Sequence, residues 1–326
     1  TRTLDGRQLS SNTVHALALR GDRLFVGTEG GGLNVVDLMQ ESVAYYFVER
    51  GVSTSLCHNE IKVMHMAKNG ILWLGTVDGL TRLDPETMLF QCYKRTPDDP
   101  HSLSNNEVVA IVEDKFGNLW LGTEGGGVNY LDVEQETFYR YVHDSSAPNS
   151  LSHNEVQAML LDSSGQLWVG TVNGLNRLDA DKNEFESYFY RANSQGSINS
   201  NVISALYQDE GGVIWIGTEG GGVNKWRPAA LSLATESAPV EGLWSGHRIS
   251  AIFRDAQDTL WVGSENLGLF ATQLDGLQEQ YDCQSLPCGN VEQLEVTAIT
   301  GNRDGVWFGT DGGGLLKFTF ATQTFS

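Results

Sequence analysis

Seven times along this chain of 326 residues an aromatic side chain, a spacer, a glycine and a threonine or serine follow one another. The copies read FVGTEGGGLN, WLGTVDGLTRLD, WLGTEGGGVNYLD, WVGTVNGLNRLD, WIGTEGGGVNKW, WVGSENLGLF and WFGTDGGGLLKF. Their leading aromatics are Phe25, Trp73, Trp120, Trp168, Trp215, Trp261 and Trp307, always 46 to 48 residues apart. A repeat of this length is one supersecondary unit, so the chain must bury its core by placing seven such units side by side.

Each unit carries the same internal signals. In the third, VVAIVED (108–114) precedes a turn, then come NLWLGTE (118–124), a glycine turn, VNYLD, a second turn and TFYRYV (137–142). That is four short strands. The first run of every unit (VHALAL, IKVMHM, VVAIVE, VQAMLL, VISALY, ISAIF, VTAIT) is close to continuously apolar, as expected of a strand buried on both faces. No segment holds a 3.6-residue apolar stripe, and 37 glycines argue further against helices. The expectation is an all-β, seven-bladed β-propeller with four antiparallel strands per blade, a single domain over residues 1–326. The blades are placed at 9–52, 53–99, 100–147, 148–194, 195–240, 241–286 and 287–326. Trp73, Trp120, Trp168, Trp215, Trp261 and Trp307 take structural roles as wedges between neighbouring blades. Each blade is expected to come from continuous sequence, so that the ring closes by packing alone and loss of residues 318–326 strips one outer strand and leaves six blades untouched.

Charge narrows the partners. Lys and Arg number 21 against 41 Asp and Glu, a formal net charge of -20. A surface of that sign repels phosphate backbones and anionic lipid, so neither nucleic acid nor direct membrane contact is expected. No run reaches the roughly 18 apolar residues of a membrane helix, and the first residues, TRTLDGRQLSSN, show neither an initiator Met nor a signal-peptide pattern. The chain reads as a piece of something longer. Of the cysteines at 57, 92, 283 and 288, only Cys283 and Cys288 are close in sequence; a loop disulfide between them would fit an oxidising compartment, although spacing does not fix connectivity. No His or second Cys pair has zinc-site spacing, and no metal or cofactor is expected.

Motifs such as GNLWLGTEGGGVNYLD (117–132) and GQLWVGTVNGLNRLD (165–179), with the linkers PHSLSNNEV (100–108) and PNSLSHNEV (148–156), closely resemble two-component regulator propeller repeats. Units one, six and seven fit more loosely: Phe25 replaces Trp, Ser264 replaces Thr, and NVEQLEV departs from the linker pattern. The resemblance implies the periplasmic sensory part of an inner-membrane signalling protein whose output is a histidine kinase or a diguanylate cyclase, a role in signal transduction without catalysis. It also implies a small-molecule ligand, with a carbohydrate fragment as one candidate, and a homodimer formed through the parent protein.

Propeller geometry puts the turn between strands two and three on the same face as the linker into strand one. The turns contribute Glu29, Glu124, Glu219, Glu265 and Asp311, with Asp78 and Asn173 in shorter versions; the linkers contribute Asn12, Asn59, Asn106, Asn154 and Asn201, with His58, His153 and His247 nearby. Such a ring of acids, amides and imidazoles at the channel mouth suits sugar hydroxyls, an amine, a cation or a basic loop. At every position a structural role competes: Asn closing an Asx turn, acids as solvated turn charge, His58 and His153 sharing one turn geometry.

The glycine-rich turn is no P-loop, because no Gly-Lys-Ser/Thr follows and the next element is a strand. Its triple-glycine form in units one, three, five and seven is one residue longer than TVDGL and TVNGL, which reads as a bulge that pushes Glu29, Glu124 and Glu219 outward. The alternative function is a propeller enzyme, a lyase or glycoside hydrolase acting at the mouth, which calls for a non-repeated His and carboxylate pair within hydrogen-bond reach. Irregular segments GLWSGHRIS (242–250) and DCQSLPCGNVEQLEV (282–296) are the first places to look for it.

Overall fold

The computed structural model describes residues 8–49, 52, 55–192, 194, 196–227, 232–235, 246–272, 278–283, 286 and 293–326. Much of the irregular sequence around 236–245 and 284–292, including Cys288, lies outside the described residues. The rest forms seven four-stranded antiparallel sheets, each built from consecutive strands, which is the seven-bladed propeller. In blade three the strands are Val108–Glu113, Leu119–Thr123, Gly127–Asp132 and Thr137–Tyr141. The first strands of all seven blades stand round a central channel and touch one another in sequence, the last closing on the first.

The aromatic-x-Gly-Thr motif is explained by how closely blades approach. Its Trp or Phe crosses into the apolar core of the next blade: Trp168 packs with Ile198, Ile203, Ile214 and Ile216, and Trp307 meets Val14, Leu24 and Val26 across the seam. Phe25 does the same with Ile61, Leu72 and Leu74. All are buried except Trp120, whose half-buried ring lies against Tyr130 and Tyr141. The motif glycine lets that approach happen. A Cβ on Gly122 would stand 2.5 Å from Val156 of blade four, and one on Gly309 would stand 2.7 Å from Val14 of blade one. Overpacking of this kind typically costs about 1–3 kcal/mol.

The linkers add a buried clasp. After an apolar anchor such as Leu103 or Leu151 comes a residue that bonds an Asn of the same blade's third strand in both directions. Ser152 N–H donates to Asn176 Oδ1 at 2.9 Å while Asn176 Nδ2 donates to Ser152 Oγ at 2.8 Å. Ser10 with Asn34 and Ser104 with Asn129 repeat it. In blade two Cys57 and Thr81 take these places, and the clasp is covalent: Cys57 is bonded to Cys92 of the outer strand. The disulfide thus joins residues 35 apart, and Cys283 is a free thiol. Pairing followed spatial adjacency in the blade, which nearness in sequence does not report.

Two expectations are corrected. The first strands are not buried on both faces: in Val14–Arg20 the residues alternate between buried and half-buried, because one side faces the channel. The terminal strand is no detachable edge, since the Phe325 ring lies tilted against Tyr281 at 4.8 Å and Phe318 at 4.9 Å in a cluster that holds Trp261 between blades six and seven.

Replacing both Cys57 and Cys92 by Ser is expected to lower stability by about 2–4 kcal/mol, the usual effect of opening a loop of this size. Adding Thr81→Asn should recover about 1 kcal/mol by rebuilding the Ser–Asn–Ser arrangement of blade four, in which Ser187 Oγ donates to Asn176 Oδ1. Urea unfolding of the double and triple variants measures both steps.

Candidate functional site: the channel mouth

The mouth is built from three positions in each blade. The residue after the motif threonine, the residue just before the first strand, and the second residue of that strand all gather there. The first two are tied by the backbone: Glu124 N–H donates to Glu107 C=O at 3.0 Å, Glu29 to Thr13 at 3.0 Å, and Asp311 to Glu295 at 2.9 Å. Blade-to-blade contacts then complete the rim, with Glu124 bridged to Glu155 and Glu219 to Arg248.

The turn acids therefore do stand on one face, but for a different local reason than a bulge. Strands two and three pair in register throughout, with Thr123 opposite Gly127 and Thr76 opposite Gly79. Triple-glycine blades, and blade six, have three-residue turns; blades two and four have two-residue turns. Glu29, Glu124, Glu219, Glu265 and Asp311 all follow the motif residue directly, where blades two and four carry Val77 and Val172. The middle glycine of the long turn is needed for space: a Cβ on Gly126 would lie 2.5 Å from Ser104 Oγ.

Four of the amides and two of the imidazoles are engaged with the backbone. Asn59, Asn106, Asn154 and Asn201 accept, through Oδ1, from the N–H groups of Val48, Arg95, His143 and Tyr190 at 2.6 to 2.7 Å. Their own carbonyls accept from turn glycines of the preceding blade, as Asn12 does from Gly314 at 2.7 Å and His247 from Gly220 at 3.1 Å. His58 and His153 accept, through Nδ1, from the N–H of Glu60 and Glu155 at 3.0 and 3.1 Å, an Asx-like turn. Asp78 accepts from Asn106 Nδ2 at 2.9 Å and pairs with Lys94.

A set the repeat pattern concealed lies further in. Every first strand is bulged after its first residue, which turns the second residue, His15, Lys62, Val109, Gln157, Ser204, Ser250 or Thr297, toward the axis. Ser204 donates to Ile249 C=O of the next blade, and Ser250 and Thr297 make the same link to Val296 and Val14. Of these second residues, all but Thr297 line, with the apolar strand residues below them, a cavity of about 330 Å³. Lys62 pairs with Glu60 at 2.7 Å. Arg248 pairs with Glu265 at 3.1 Å and also donates to Gln157 Oε1 at 3.0 Å, reaching over blade five to blade four. The polar second residues were visible in VHALAL, IKVMHM and VQAMLL, but an apolar-run count passes over them.

Carboxylates dominate the rim. Burial, then the neighbouring Glu124 carboxylate, holds Glu107 above the usual glutamate range; burial with Asp311 and Glu265 does the same to Glu295. Glu60 is lowered by its hydrogen bond from Lys62, and His15 is lowered by burial and then by the Lys62 charge.

One non-repeated His and carboxylate pair exists among the described residues, His65 Nε2 and Glu113 Oε2 at 3.2 Å. It lies at the far end of the first strands, joining blade two to blade three, and Glu113 also accepts from Lys68 N–H. Arg20, bonded to Gly70 C=O and paired with Glu86, ties blade one to blade two at the corresponding place. The pair is therefore one of a series of inter-blade ties, remote from the mouth.

Four stretches, residues 102–125, 150–173, 197–220 and 242–266, match the family model of the two component regulator propeller. The chain carries two component regulator propeller repeats. No curated protein sequence matches it. Among solved structures, the propeller superposes on the extracellular domain of a hybrid two component system from B. thetaiotaomicron with a TM-score of 0.79 at 24% identity, covering 95% of this chain and 40% of that one. PorZ, a surface component of the type-IX secretion system of Porphyromonas gingivalis, gives 0.72 at 16%, covering 99% and 48%. Virginiamycin B lyase from Staphylococcus aureus gives 0.72 at 12%, covering 96% of each. At these identities the three share the propeller fold; the chain spans less than half the length of the first two.

If Glu107 is held ionised against its neighbours, Glu107→Gln should be more stable than the parent near neutral pH, by about 1–2 °C in melting temperature after discounting for solvent screening. A carboxyl whose folded pKa is raised destabilises when ionised, and that penalty fades as pH falls through the folded pKa toward the ordinary glutamate range. The difference between the two proteins should vanish there, which thermal melts across this range would reveal.

Proposed function

We propose that this chain is the ligand-sensing or interaction propeller of a bacterial membrane-anchored signal-transduction protein, working outside the cytoplasm, in the periplasm, and without catalysis of its own. The observation that carries the reading is the channel mouth of a two component regulator propeller: a seven-fold scaffold repeated closely elsewhere becomes non-repeated at the strand bulges. Function placed on a repeat scaffold is expected where the repeat is broken and a cavity is lined. The likeness to an extracellular domain of a two component system and the Cys57–Cys92 disulfide, which suits an oxidising compartment, point the same way.

The ligand belongs at the mouth, against His15, Lys62, Gln157 and the turn acids Glu29, Glu124, Glu219, Glu265 and Asp311. Paired donors and acceptors such as Lys62 with Glu60 match a small polar molecule, a carbohydrate fragment among them. Homodimerisation through the parent protein would convert occupancy into a signal. The lyase-like reading gains nothing from His65 and Glu113, which do not line the cavity at the mouth.

A thermal-shift panel of sugars, amino acids and short peptides tests the proposal. At a hundredfold excess over Kd a true ligand adds about 2.7 kcal/mol, a rise of several degrees. The shift should be lost in Lys62→Met and Gln157→Leu and kept in a surface variant such as Lys182→Gln. Consumption of any panel member by the propeller would sink the non-catalytic reading.

A further inference from the structure

The cavity at the mouth changes character with depth. Its upper ring is formed by the second residues of the first strands, and two places further along each strand comes a second ring. That ring is Leu, Met or Ile in all seven blades, from Leu17 and Met64 to Ile252 and Ile299, and every one of these side chains belongs to a residue lining the cavity. Leu17, Met64, Leu206, Ile252 and Ile299 pack against the clusters between blades on one side. They stay only half-buried because the other side faces the channel. Water in contact with this apolar surface is released when a hydrocarbon group takes its place.

Charge at the rim above is one-sided. Glu60 is answered by Lys62 and Glu265 by Arg248. Glu29, Glu107, Glu124, Glu295 and Asp311 have no basic side chain within ion-pair distance among the described residues. These acids converge across blades: the charges of Glu29, Glu60 and Asp311, from blades one, two and seven, all reach His15, and Glu107 meets Glu124 of its own blade. His15 lines the cavity and keeps a buried Nδ1 without a hydrogen-bond partner. Burial and then the Lys62 charge lower its pKa, so the ring is neutral near neutral pH and offers a nitrogen that can accept.

We infer that the ligand sensed at this mouth is a compact apolar amine, its ammonium held among the rim carboxylates and at His15 Nδ1 and its hydrocarbon part descending between the Leu, Met and Ile walls. The inference rests on the reading of the mouth as the sensing site and narrows its ligand. An ammonium brings three donors to groups that only accept, whereas an anion of the same shape meets the surplus of carboxylates. A sugar fits the lower half poorly: no Trp, Tyr or Phe lines the cavity to stack against it, and the second ring has no polar side chain to bond its hydroxyls. At about 330 Å³ the space lies at the small end of ligand sites, which sets the compactness of the amine.

Isothermal titration calorimetry of the propeller with n-alkylamines from ethylamine to hexylamine tests this. Affinity should rise about three- to fourfold with each methylene, and hexanoate, with a similar hydrocarbon and the opposite charge, should give no measurable binding. Met64→Gln and Ile299→Thr, at half-buried wall positions in different blades, should each weaken hexylamine about five- to tenfold and leave ethylamine nearly unchanged. Either variant serves if the other does not fold. Glu107→Gln and Asp311→Asn should instead weaken every amine by a similar factor and keep the increment per methylene. Hexanoate binding as tightly as hexylamine, or an affinity that does not grow with chain length, would overturn the assignment. Lys62-dependent binding of a sugar without any binding of hexylamine would overturn it too, while leaving the sensing mouth in place. If neither series nor any sugar binds, both fall; turnover of a bound amine would remove the non-catalytic reading and leave the ligand class standing.

Discussion

Everything in this molecule depends on how closely one blade lies against the next. The motif glycine of each second strand has no side chain because the first strand of the following blade occupies that space, at 2.5 to 2.9 Å from where a Cβ would be. The aromatic two residues earlier fills the wedge that opens outward from that contact. Gly309 and Trp307 perform the same two tasks against Val14, Leu24 and Val26, so the seam between the last blade and the first is closed by the interaction used everywhere else. Because no blade is shared between the chain ends, that packing is reinforced, among the described residues, by Gly314 N–H to Asn12 C=O, by Thr297 to Val14 C=O and by Thr13 Oγ1 to Asp311 Oδ1.

The same closeness separates architecture from candidate chemistry. Residues that recur from blade to blade are consumed in holding the fold together: linker asparagines accept backbone N–H groups, Ser–Asn clasps bury their own polar atoms, and Asp162, Asp209 and Asp255 each bind a wedge tryptophan N–H. Burial leaves little freedom to such groups, since an unsatisfied one would be costly. Variation is concentrated at the strand bulges, whose second residues differ from blade to blade and face the channel.

Much of this was legible in the chain itself. Seven copies of a wedge aromatic, a glycine and a threonine, each flanked by apolar runs and turns, require seven four-stranded sheets packed in a ring, and Trp73, Trp168 and Trp307 stand where that pattern puts them. The acids after the motif residue do share one face, because antiparallel pairing carries every such turn to the same end of its blade. Asn59, Asn106, Asn154, Asn201, His58 and His153 turn their side chains to backbone partners that no spacing rule reveals.

What the repeat alone determined is the number of blades, their strand content and the face that gathers loops, for these follow from local periodicity and chain order. Tertiary structure alone decided which residues the channel presents and which cysteines are joined. A bulge in each first strand reverses the side to which one residue points, and Cys57 meets Cys92 only because linker and outer strand are brought together over a third strand. Both are consequences of three-dimensional adjacency between segments distant in sequence, a relation that one-dimensional periodicity does not contain.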